Sequence, residues 1–254
     1  WLKPACRLTE CPLRLGPSPC ALHGSERATQ FLRIMAASVD AIFILAAFAV
    51  PVAVTYGMLG PGPGGSATLS TSFTWHPILM SCAFPCLMVL GRWAYVTESL
   101  GDKQEQRSAH RGVMMLSTLV AIGGYTAIFM AHVKTPSFFG YNFAKHTWAV
   151  PSRIVHDFLG YSVLLLMLFQ AAVGLMKYWR LQAGQKSFPF HGSLGKLIIL
   201  LGSGNILTAC IFWSWGLAFK VLLAGLALAA AFCGAFWPTP ERPEAAPLAE
   251  SMKP

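Results

Sequence analysis

Four histidines stand near the starts of four consecutive apolar segments: His76 in TWHPILM, His110 in SAHRGVM, His156 in RIVHDFLGY and His191 in FPFHGSLGK. A neutral imidazole offers one ring nitrogen to a metal while the other nitrogen can be held by a hydrogen bond. A single histidine in such a place is as readily a cap or an interfacial hydrogen-bonder. Four, each about one turn inside a different segment, suggest ligands for two metal centres stacked across a membrane.

The elements that must position them follow from composition. The 254 residues are 55% hydrophobic and 11% charged, whereas a soluble domain carries about a quarter charged residues. A hydrocarbon core of roughly 30 Å needs about 20 apolar residues per helix. Six such runs occur, near 34–56, 73–97, 108–132, 153–179, 191–213 and 217–237. Runs of this length satisfy their backbone hydrogen bonds as helices rather than as barrel strands. The expectation is an all-α membrane protein of six transmembrane helices over 34–237, with a polar N-terminal tail over 1–33 and a disordered tail over 238–254. Pro85 is expected to kink the second helix. The pairs Gly123–Gly124 and Gly202/Gly204 are expected at close helix contacts.

An even helix count puts both termini on one side of the membrane. Fifteen of the 19 Lys and Arg residues then fall on or near that side, and only Lys134, Lys145, Arg153 and Lys220 toward the other. The positive-inside rule places the termini in the cytosol or its equivalent. Which membrane is involved is not written in the chain. The net charge of +9 is thus a matter of topology. No basic cluster interleaved with aromatics calls for nucleic acid, so the expected surroundings are the lipid bilayer.

Topology also sorts the histidines. The second and fourth helices both start on the non-cytosolic side, so His76 and His156 share a depth. The third and fifth start on the cytosolic side, so His110 and His191 share the other. Two facing imidazoles can supply both axial ligands of a b-type haem. Sites at opposite ends of one span lie on the order of 20 Å apart, which suits transmembrane electron transfer. Zinc fits less well, because two imidazoles half fill a tetrahedral site. A proton relay or proton-coupled transporter competes, but the helices offer only Asp40 and Asp157 as carboxylates. Asp40 is expected to snorkel toward Arg33 or a helix end. Arg111 and Asp157 directly follow histidines and so face about 100° away from them.

The seven cysteines form no framework. Cys82, Cys86, Cys210 and Cys233 sit in apolar runs as ordinary buried thiols. Cys6, Cys11 and Cys20 lie in the tail without a clear pair of zinc-type spacings, and that arginine-bearing, acid-poor tail also reads as residual targeting sequence.

FTWHPILM, the His110 start, HDFLGY and FHGSLGK together resemble the four ligand motifs of the cytochrome b561 family, over roughly residues 34–237. The resemblance implies two haems b held by the central four-helix bundle, with iron ligands His76, His156, His110 and His191. It implies electron flow from cytosolic ascorbate to monodehydroascorbate or a ferric chelate opposite, by a chain that often pairs as a homodimer.

An anionic reductant needs cations near the cytosolic centre, and Arg92, Lys103, Arg107, Arg111 and Lys186 are the candidates. The stretch leaving the second helix, GRWAYVT, carries Arg92 alone, where ascorbate-using members have a basic run. On the other side Lys145, His146 and Arg153 are the candidates for an acceptor. His132, at the end of the third helix, reads as an interfacial cap. The alternative to a free-standing reductase is a b561-like subunit of a larger membrane complex, bearing haem or serving structure without reductase activity of its own.

Overall fold

The computed structural model describes residues 19–236 apart from 62–64, 66, 98, 134 and 186–187; for residues 19–37 and 39 it describes the backbone alone. The chain divides into two units, Trp1–Val39 and Asp40–Pro254. The second contains the bundle, and six helices are long and apolar enough to cross a membrane. These are α1 (Pro19–Leu59), α2 (Ser72–Val96), α3 (Lys103–Val133), α4 (Pro151–Gln182), α5 (His191–Phe212) and α6 (Leu217–Phe236). The all-α expectation holds.

One helix start departs widely from the sequence expectation. Helix α1 begins at Pro19, not near residue 34, so part of the expected polar tail is helical. SERATQFLRI (25–34) contains no Pro or Gly, and its Ala, Leu, Arg and Gln are good helix formers, so nothing breaks the helix before the apolar run. Cys6, Cys11, Cys20, His23 and the rest of the tail, and the C-terminal segment, lie outside the residues whose side chains are described.

Helix α2 is distorted where Pro85 was expected to act. Cys82–Met88 is a π-helical segment with Pro85 inside it. Proline has no N–H to continue the α ladder, and a wider turn accommodates that loss. Ser117 on α3 donates to the carbonyl of Ala83 at 2.9 Å, so an acceptor of the widened turn is covered from a neighbouring helix. Beneath it Phe84 presses on Gly202 of α5: a Cβ there would lie 2.6 Å from the ring. Gly124 meets Leu79 and Met80 in the same manner at 3.2 Å, whereas Gly204 has nothing within 4 Å among the described residues. The glycine expectation therefore holds at Gly124 and Gly202 and fails at Gly204.

Packing follows the chain around the bundle, with α2 against α3, α4 against α5, and α5 against α6. Val50, Val54 and Met58 of α1 join Cys210, Leu223 and Ala230 in a buried cluster capped by Trp215. Trp215 Nε1 donates to the Gly57 carbonyl at 2.8 Å. That bond fastens the turn between α5 and α6 to the end of α1.

Asp40 reaches a helix end, that of α2, while the Arg33 side chain lies outside those described. Its carboxylate accepts from Trp93 Nε1 at 2.6 Å, from Thr97 Oγ1 at 2.9 and 3.0 Å, and from Ser99 Oγ. Charge-assisted bonds of this kind are the strong ones. They tie α1 to the end of α2. Asp40→Ala is expected to lower stability by about 1–3 kcal/mol, since it strands the indole and hydroxyl donors. Thermal unfolding in detergent measures this, and Asp40→Asn should lose less.

Between α3 and α4 lies a feature no periodicity announced: an antiparallel three-stranded ribbon of β1 (Ser137–Phe138), β2 (Tyr141–Asn142) and β3 (Thr147–Trp148). Phe138 pairs with Tyr141, leaving Phe139 and Gly140 as a two-residue turn with φ of 55° and 77°. Both positive values fit the tight hairpin turn that matches strand twist. Phe139 is an unusual residue there. Its ring lies 4.6 Å from that of Tyr161 on α4, which anchors the turn. A Cβ on Gly140 would lie 2.8 Å from Ile154.

Candidate functional site

The structure brings the four histidines together as two pairs. His76 of α2 faces His156 of α4, with ring centres 6.3 Å apart and planes crossed at 85°. His110 of α3 faces His191 of α5 at 6.5 Å and 82°. A metal bound to two imidazoles through nitrogens about 2 Å away, each about 1 Å from its ring centre, sets the centres about 6 Å apart. Both pairs fit that geometry.

Hydrogen bonds fix which nitrogen is free. His76 Nδ1 donates to the Gly124 carbonyl at 3.0 Å, and His110 Nδ1 to the Gly91 carbonyl at 2.7 Å. His156 Nδ1 lies 3.1 Å from both the Asn205 carbonyl and Thr208 Oγ1. A carbonyl can only accept, so Nδ1 carries the proton in these rings and Nε2 keeps its lone pair. Ligating histidines are commonly oriented in this way through the second nitrogen. Each acceptor belongs to a different helix from the histidine it holds.

Around His156 the support is doubled. Asn205 Nδ2 donates to the His156 carbonyl at 3.1 Å, and Thr208 Oγ1 donates to the Asn205 carbonyl at 2.7 Å and to its Oδ1 at 2.8 Å. The signal for this was present in the chain. Ser203, Asn205 and Thr208 form a polar string within an apolar helix, and such groups are costly in lipid unless partnered.

A small cleft, with a cavity volume of about 100 Å³, adjoins the His76–His156 pair. Its walls are mostly apolar, with Met80, Phe84, Val163, Leu164 and Ile206 among them, and Tyr125, His132, Asp157, Tyr161 and Asn205 add polar groups. At Gly160 and Gly202 the space of the missing side chains is taken by neighbours, the Asn205 amide and the Phe84 ring. Among the described residues no three His, Cys, Asp or Glu side chains cluster to hold an ion.

The other sequence candidates fall into distinct positions. Arg92 is half-buried next to Gly91, whose carbonyl holds His110. Arg111 stacks over the Tyr178 ring at 4.2 Å. Lys103 opens α3 with its Nζ donating to Gln106 Oε1 at 2.6 Å, and Arg107 is exposed on the next turn. Lys186 lies outside the described residues, as does Lys134. At the other layer, Lys145 and His146 are exposed on the ribbon between β2 and β3, with His146 at φ 51°. Arg153 is half-buried and donates to His132 Nε2 at 3.3 Å. The sequence reading of His132 as a plain cap missed this contact and its place on the cleft wall. The pairing depends on how α3 and α4 meet across the ribbon.

No curated protein matches the chain. The family model described as eukaryotic cytochrome b561 matches residues 75–217, a stretch that covers more than half of the chain and contains all four histidines. With six membrane-spanning helices and two pairs of facing imidazoles already in place, the match means that the chain belongs to the cytochrome b561 family of haem-binding transmembrane electron-transfer proteins.

Proposed function

We propose that this chain carries single electrons across the membrane through two haems b, one held by His110 and His191 and the other by His76 and His156. The observation that supports this reading is one ring-to-ring geometry repeated in two layers, 6.3 and 6.5 Å. Bound haem b supplies reversible one-electron exchange at iron, with a potential set by its ligands and surroundings. The chain's own residues do the rest. Gly91, Gly124 and Asn205 hold three of the imidazoles so that Nε2 points away from its supporting carbonyl.

We place both termini and the His110–His191 layer on the cytosolic side, on the strength of the Lys and Arg distribution. There Arg92, Lys103, Arg107, Arg111 and Lys186 draw in an anionic reductant such as ascorbate. On the opposite side Arg153, paired with His132, stands by the cleft that adjoins His76 and His156. Together with Lys145 and His146 it meets the acceptor, monodehydroascorbate or a ferric chelate.

The test uses the full chain in vesicles. Ascorbate should reduce the bound haem and a ferric chelate on the other side should reoxidise it, both followed by the visible spectrum. Haem present with both steps absent would show instead a haem-bearing subunit that passes electrons only within a larger complex.

A further inference from the structure

Three of the four histidines donate Nδ1–H to a backbone carbonyl, but His191 does not. Its Nδ1 is buried and meets no hydrogen-bond partner among the described residues. A second buried atom without a partner belongs to the residue that touches it: Oε1 of Gln170. The Nε2 of the same amide donates to the His191 carbonyl at 2.6 Å. That bond fixes the orientation of the amide, because flipping it would set two oxygens against each other.

The corner is shaped for this contact. Gln170 and Gly174 lie one turn apart on α4 and so share a face. A Cβ at Gly174 would lie 3.2 Å from His191 Cε1, and one at Gly195 would lie 3.2 Å from Gln170 Nε2. The absence of side chains at these two positions lets the glutamine and the imidazole share one groove between α4 and α5. Both atoms are sealed from solvent, so the N–H donor and the amide oxygen must be satisfied within this corner.

We infer that Gln170 is the positioning residue of His191: its Nε2 holds the His191 carbonyl, and its Oε1 accepts from His191 Nδ1–H once the ring turns to iron, leaving Nε2 of the ring for the metal. The inference rests on the two-haem reading above. It gives the His110–His191 centre a side-chain amide where the other three histidines use backbone carbonyls. An acceptor on Nδ1–H makes an imidazole a better electron donor to its metal, so Gln170 holds the potential of this centre down.

Redox titration of the haem-loaded full chain, followed in the visible spectrum, tests this. His110→Ala first identifies which of two titrating centres belongs to the His110–His191 pair. Gln170→Leu should then raise the midpoint potential of that centre alone and shift its ferric EPR signal, while the other centre stays put. Gln170→Glu, which restores an acceptor, should bring the potential back to or below that of the parent. If the leucine variant loses haem at this centre, the glutamate variant decides, and a potential above the parent's overturns the inference. An unmoved potential with Gln170→Leu, or the same upward shift in both variants, overturns it and leaves the two-haem reading intact. A parent chain with only one titrating centre, untouched by His110→Ala, overturns both.

Discussion

His76→Ala should remove about half of the reduced haem absorbance, and His110→Ala should remove the other half, because on the proposed two-haem reading each histidine serves a different centre. The double variant should retain almost none. The expectation follows from the pairing. His76 shares its layer with His156 and His110 with His191, at nearly equal ring separations. Removing one imidazole leaves its partner alone and the Gly124 or Gly91 carbonyl without its donor. His156→Ala should mimic His76→Ala, and His191→Ala should mimic His110→Ala. The pyridine haemochrome assay on purified chain reads the content directly. Equal haem in parent and His76→Ala would sink the ligand assignment at that layer, whatever the activity.

The second large effect is expected at Gly202. A Cβ built there lies 2.6, 2.7 and 2.9 Å from Phe84. Phe84 cannot swing aside easily, since it belongs to the π-helical segment and is itself buried. Overpacking of this kind costs about 1–3 kcal/mol, and Gly202→Val adds a branched group to the clash. Gly202 and Phe84 both line the cleft beside the His76–His156 pair. The valine variant should therefore unfold at lower temperature and lose haem from that layer before the other. Gly204→Val is the control, because nothing lies within 4 Å of its built Cβ. Similar losses in both variants would show that helix α5 tolerates no side chain here for reasons unrelated to Phe84.

The parts of this arrangement that could be read from the chain are those that depend on one helix at a time. Apolar run length gave six spans, and the alternation of their directions sorted four histidines by depth. Pro85 marked the distorted turn because its missing N–H is a property of the residue itself. What stayed hidden depends on how two helices meet. Every residue has a carbonyl, so nothing in the sequence singles out Gly91 or Gly124 as the acceptor for a histidine on another helix. Gly204 looks like Gly202 in sequence but faces open space. Asp40 finds Trp93, Thr97 and Ser99 across more than 50 residues of chain, a contact fixed by the return of α2 beside α1. The ribbon at 137–148 escaped notice because two-residue strands have no periodicity to detect.

The widened turn in α2 has a consequence for how the two layers are geared to each other. One residue inserted into a helix turns everything beyond it by about 100°. His76 lies before the segment Cys82–Met88 and Gly91 lies after it. The same rod thus supplies one of the facing histidines at one layer and, through the Gly91 carbonyl, orients one at the other. The extra residue sets the phase between these two duties. Shortening the segment by one residue would leave His76 in place and rotate Gly91 away from His110, so the register between the two histidine layers is written partly as a count of residues in a single turn.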